Sequence, residues 1–175
     1  DSRISRIVEG TNEINRLLIV DMLMRRTMKN RLPILEAAQK AAEELRTHQT
    51  ALVTDDGKLG LQEEMVETAK KIALYVAGTV VLNYMTKLAE EEEIVALISD
   101  MVIEIFAMES GLLRALKTME RADDERYQLQ RAMISVYVND GFVRIVGCAR
   151  QVLSAISSAD RLRTHLSALE KAARF

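Results

Sequence analysis

Three stretches of about thirty residues fill positions 61–157, and in each the apolar side chains recur every three or four residues, the period of an amphipathic helix. The first, 61–89, carries Met65, Ala69, Ile72, Val76, Val80 and Asn83 at that spacing and is apolar nearly all round between Ile72 and Leu82. That pattern predicts the central, most buried helix. The four glutamates at 90–93 suit a solvated turn and the acidic first turn of a second helix. This helix runs to about Arg121, with Ile94, Leu97, Ile98, Met101, Ile105, Met108, Leu112, Leu116 and Met119 inside. Asp123 or Asp124 caps a third, reaching about Ser157 and lined by Tyr127, Met133, Val136, Val143, Val146, Val152 and Ile156. A last helix from Asp160 buries Leu162, Leu166 and Leu169, with Phe175 a further candidate. Helices this long, joined by a few residues, must run antiparallel, so the chain is predicted to be all-α, an up-and-down antiparallel bundle.

Composition agrees. One proline, seven glycines and 4% aromatic residues do not suit a β-rich or disordered chain. A chain of 175 residues buries roughly 70% of its unfolded surface, enough for one sizeable core. The net charge of -2 gives no footprint for a nucleic-acid partner, and Tyr75, Tyr84, Tyr127 and Tyr137 are too scattered to stack bases. No run of 18 or more apolar residues argues for a transmembrane helix. His48 and His165 stand apart from any ligand cluster, so no metal site is expected and both read as surface or helix-face histidines. Cys148, the single cysteine, lies in an apolar helical stretch and reads as a buried, inert thiol. The nine methionines read as core filler.

Ahead of the bundle, residues 34–49 form a helix with Pro33 at its start. Its apolar side, Ile34, Leu35, Ala38, Ala41, Ala42 and Leu45, is shallow and alanine-rich, which suits close or weak packing. Residues 50–60 are the clearest loop and the expected centre of mobility.

The N-terminal stretch carries the only pattern that looks like chemistry. A helix starts after Thr11 or Asn12, either a good N-cap, and runs to about Asn30. Ile14, Leu17, Leu18 and Met22 share a face, Glu13 lies in the first turn, and Arg25, Arg26, Lys29 and Arg31 gather at the far end, as the helix dipole favours. Just before it stands Glu9 beside Gly10. Glycine tolerates unusual backbone angles and leaves room for a ligand, and a carboxylate in a dry turn becomes a competent general base near neutral pH. A lone Glu-Gly-Thr is a common tripeptide and by itself favours an ordinary surface glutamate.

The longer string is more specific. Ile7-Val8-Glu9-Gly10-Thr11-Asn12-Glu13-Ile14, with Arg3 and Arg6 before it and Arg16-Leu17-Leu18-Ile19 after it, resembles the C-terminal signature of the flavin-dependent acyl-CoA dehydrogenases. The remainder of the chain, in its length and helical character, is similar to the very-long-chain branch, in which an extra helical domain comes after the dehydrogenase core. The resemblance implies that Glu9 is the catalytic base that takes the α-proton of an acyl-CoA thioester while a hydride passes to FAD. It also implies that Gly10 lies against the substrate and that Thr11, Asn12 and Glu13 lie near FAD. Val8 stands where the family often has Tyr or Phe.

On this reading residues 1–29 finish a catalytic domain and residues 33–175 form an appended bundle. The chain is then a portion of a longer enzyme, inactive and colourless by itself, because the rest of the flavin pocket lies outside it. Implied partners are the acyl-CoA substrate, an electron-transfer acceptor and further copies in a homo-oligomer. Membrane contact through residues 34–60 is not favoured: the polar face mixes Glu36, Glu43 and Glu44 with Lys40 and Arg46. The compartment is cytoplasmic for a bacterial source, which is preferred, and mitochondrial for a eukaryotic one. The alternative is a non-catalytic helical module for self-association, partner docking or peripheral membrane contact.

Overall fold

The computed structural model describes residues 4, 10–47, 59–119 and 125–175. They form six α-helices: α1 (Asn12–Met28), α2 (Ile34–Thr47), α3 (Gly60–Tyr84), α4 (Glu92–Met119), α5 (Glu125–Ile156) and α6 (Ala159–Ala172). No strand occurs among the described residues. The expected loop at 50–60 lies almost wholly outside them, as do Glu9, His48 and the proposed caps Asp123 and Asp124.

Helices α3, α4 and α5 pack on one another, α2 lies against α3 and α6, and α1 lies against α4. The pairings fix the directions. Glu104 meets Arg144 and the backbone of Gly111 faces Ile134, so numbers rise on α4 as they fall on α5. Glu44 with Lys71 and Ala38 with Gly78 show the same for α2 and α3. The bundle is antiparallel, as the short connections require.

Its core is continuous through α3, α4 and α5, with Ile72, Val76, Met101, Met108, Val138, Ile145 and Val152 almost wholly buried. Helix α3 is the most buried element, as its all-round apolar run predicts. It ends sooner than the sequence pattern suggests, at Tyr84, and continues as a 3-10 turn, Met85–Glu90. The tighter turn brings Leu88 into the core that α1 covers.

The expected face of α5 is wrong in part. Met133, Val136 and Val143 point to solvent, each more than 60% exposed, while Ile134, Val138, Phe142, Ile145, Ala149 and Leu153 face the core. The helix is apolar on two sides, so periodicity alone cannot choose between them. It is also long and apolar enough, by length and composition, to cross a membrane. Here one side of it is spent on the core between α3 and α4. The methionines divide similarly: Met65, Met101 and Met108 fill the core, whereas Met22, Met28 and Met133 are exposed.

Two backbone features close the helices. Asn30, at φ +53, ends α1 in a left-handed conformation, with its N–H donating to the Thr27 carbonyl and that of Arg31 to the Arg26 carbonyl. Leu59, at φ +63, enters α3 with its side chain fully buried and its carbonyl accepting from the N–H of Glu63. The sequence pattern alone leaves it in the loop.

Candidate functional site

The turn at residues 10–15 is held by its own polar groups. Gly10 has φ +98, a conformation that a side chain makes costly, and a Cβ added there would lie 3.2 Å from Asn15 Oδ1. Asn15 Nδ2 donates to the Gly10 carbonyl at 3.1 Å, and the N–H of Asn15 donates to the Thr11 carbonyl at 3.0 Å. Thr11, extended at φ -60 and ψ 156, is the N-cap, and its hydroxyl accepts from the N–H of Ile14 at 3.3 Å. The turn thus has one determined shape. Asn15, its anchor, was not singled out in the sequence, where a polar residue in a first turn is unremarkable.

Asn12 and Glu13 are exposed in the first turn of α1, and Gly10 and Thr11 are half-buried. All four lie together at the helix N-terminus, where free N–H groups and the dipole favour an anionic or electron-rich partner. Glu9 precedes them directly in sequence and lies outside the described residues.

What holds this turn in place is α4. The buried Ser99 hydroxyl donates to the backbone carbonyl of Arg16, and Arg16 Nε lies 2.7 Å from Asp100 Oδ1. Leu17, Val20 and Met24 of α1 pack against the core. Ile14, Leu18 and Met22, expected with Leu17 on one face, are exposed at 59%, 52% and 42%, whereas Leu17 reaches the core. Helix α1 therefore has two apolar sides, one on the bundle and one free.

Away from the turn, Cys148 is half-buried rather than buried. Burial pushes its thiol pKa up, and the nearby carboxylates of Asp100 and Glu104 push it further, so it stays a thiol and a poor nucleophile. Arg144 and Glu104 form a bidentate pair, 2.7 and 3.1 Å, that holds the Glu104 carboxyl below its usual range. His165 is no isolated histidine: its Nδ1 lies 2.5 Å from the Tyr75 hydroxyl, across 90 residues of sequence. Burial and then Arg161 and Arg46 push its pKa down. With the ring neutral, either the hydroxyl donates to Nδ1 or Nδ1–H donates to the phenol oxygen, so the contact is satisfied in both tautomers. Among the described residues no three His, Cys, Asp or Glu side chains are grouped to hold a metal ion.

Comparison with known proteins bears on the turn and the bundle together. A family model described as acyl-CoA dehydrogenase, C-terminal domain, matches residues 68–171. A relative from Bacillus subtilis (strain 168), described as a probable acyl-CoA dehydrogenase, is 37% identical over 177 residues. A crystal structure of an acyl-CoA dehydrogenase complexed with FAD from Bacillus anthracis superposes with a TM-score of 0.91 at 40% identity. Each of these two covers 99% of this chain, which spans only 29% of the length of either. The match to the family model takes in more than half of the chain, which therefore belongs to the family of acyl-CoA dehydrogenase C-terminal domains.

Proposed function

We propose that this chain supplies the catalytic turn and the C-terminal bundle of a longer FAD-dependent acyl-CoA dehydrogenase. The observation that carries the reading is the likeness over 99% of the chain to an acyl-CoA dehydrogenase complexed with FAD. The turn's geometry supports it: Gly10 at φ +98 keeps the backbone beside Glu9 bare, and α1 presents its N-terminal N–H groups next to it. Residues 1–29 complete the catalytic domain in this account, and residues 33–175 are the appended bundle. The free apolar side of α1, Ile14, Leu18 and Met22, suits packing against that domain.

In the reaction the Glu9 carboxylate takes the α-proton of the acyl-CoA thioester. Gly10 lets the thioester approach, and Thr11, Asn12 and Glu13 would border the cofactor at a helix N-terminus, whose free N–H groups suit a flavin's acceptor-rich ring edge. FAD, when bound, would supply the acceptor for the hydride leaving the β-carbon, and the longer enzyme would need an electron-transfer partner. The 175-residue chain alone lacks the remaining walls of such a pocket, so it purifies colourless and inactive. We place the enzyme in the cytoplasm, the compartment expected for a bacterial source, since both relatives are bacterial. In the longer enzyme, Glu9→Gln should lower turnover by about 10²–10⁴-fold at unchanged FAD content. Near-normal turnover of a folded, FAD-loaded variant would remove Glu9 from the mechanism.

A second role has its own observation. Phe106 (72% exposed) and Leu113 on α4, with Leu129, Met133 and Val136 on α5, leave a strip of large apolar side chains open to solvent. Such a strip is the mark of a protein contact, and we propose that it joins copies in a homo-oligomer. Sedimentation should depend on concentration and Phe106→Glu should shift it towards monomer; a strict monomer at high concentration contradicts this role.

A further inference from the structure

We propose that the cavity between α2, α3 and α6 binds an amphipathic anion, its aliphatic chain lying in an apolar trough and its charged head held by Arg46 and Arg161. The cavity has a volume of about 380 Å³, within the range of about 300–1,000 Å³ that small-molecule sites occupy. Leu35, Ala38 and Ala42 of α2 and Leu82 of α3 make the trough. Leu82 is 80% exposed, so a large apolar side chain stands at its mouth with nothing covering it.

The polar end is differently built. Helix α2 carries Arg46 two turns beyond Ala38, and α6 carries Arg161 one turn before His165, so both guanidiniums converge on the Tyr75–His165 pair. Among the described residues the lining contains no carboxylate, and neither arginine forms an ion pair. Elsewhere on the molecule arginines such as Arg16, Arg25 and Arg144 each have a carboxylate within 4.0 Å. Two guanidiniums without a carboxylate partner among the described residues, beside a neutral imidazole and a phenol, present positive charge and a surplus of donors. An anion meets that need, and the trough selects one with an alkyl tail. The site shares no residue with the turn at Gly10 and does not depend on the role proposed there.

Octanoate and octyl phosphate carry the two head groups that this chemistry admits, and titrating each into the 175-residue chain while following the Tyr75 and His165 ring resonances tests the site. At least one should saturate a single site and raise the His165 pKa, since an anion offsets the arginines; the tighter of the two names the head group. Octanol and inorganic phosphate, which each lack one half of the ligand, should bind at least about tenfold more weakly. Arg46→Gln and Arg161→Gln are exposed positions that leave the core intact, and each should weaken binding by about 10- to 100-fold. The proposal is overturned if neither amphiphile moves the two rings up to millimolar concentration, if octanol binds as tightly as either, or if the double arginine variant with native helicity binds like the original chain.

Discussion

Gly78 and Gly147 both sit in helix interiors, yet replacing each with alanine should change stability in opposite directions. Alanine gains about 1 kcal/mol over glycine in a helix, and nothing lies within 4 Å of a Cβ added at Gly147. Gly147→Ala should therefore stabilise the chain by up to about 1 kcal/mol. At Gly78 the new Cβ would lie 2.6 Å from the Cβ of Ala38, an atom fixed directly to the α2 backbone with no rotamer to escape into. Ordinary contact begins at 3.4 Å, so α2 must lift from α3. Overpacking of this kind costs about 1–3 kcal/mol; a rigid pair belongs at the upper end, and after the gain in propensity a net loss of about 2 kcal/mol remains. Ala38→Gly in the same chain removes the obstruction and cancels the propensity gain, so the double variant should return close to the original. Urea unfolding followed by helical circular dichroism measures all four chains. Gly78→Ala as stable as the parent, or a double variant no better than the single, would refute close α2–α3 packing at this point.

Two further outcomes rest on the polar contacts. Ser99→Ala removes the hydroxyl that ties α4 to the Arg16 carbonyl, and urea unfolding should show a loss of about 1 kcal/mol; an unchanged midpoint would mean that α1 docks through its apolar side and the Arg16–Asp100 pair without help from this bond. His165 has a folded pKa below its ordinary value, so between that pKa and about 6.5 the unfolded chain binds the proton and the folded chain does not. Stability should then fall as pH drops below about 6.5, and the slope should flatten in His165→Gln; an unaltered slope would show that the ring titrates normally in the fold.

The sequence was most legible where one local rule acts alone. The break of α1 at Asn30, an N-cap at Thr11 or Asn12, of which Thr11 is the one used, and the buried run of α3 from Ile72 to Val80 each depend on nearby residues. Leu82 and Asn83 at the end of that run are exposed. Helix α5 was misjudged because its apolar residues cover two sides: Met133, Val136 and Val143 are as regularly spaced as Ile134, Val138 and Ile145. Only the positions of α3 and α4 decide which side is inside. On α1 likewise, Ile14, Leu18 and Met22 share a face with Leu17 in the pattern, yet only Leu17 of the four reaches the bundle. The Tyr75–His165 pair and its two arginines are brought together from α2, α3 and α6 by folding, and no spacing in the sequence announces them. At the candidate site the glycine was readable from its type, whereas Asn15, which fixes the turn through the Gly10 carbonyl, became visible only with the backbone.

Exchange of the substrate's α-hydrogens tests the central claim, that Glu9 is the proton-abstracting base, without depending on turnover. In deuterated water, without an electron acceptor, the longer FAD-loaded enzyme should wash deuterium into the α-carbon of a bound acyl-CoA. The Glu9→Gln enzyme, equally folded and equally loaded with FAD, should lose that exchange. Exchange persisting at the original rate in Glu9→Gln would place the base on another residue and leave the Gly10 turn a structural element only.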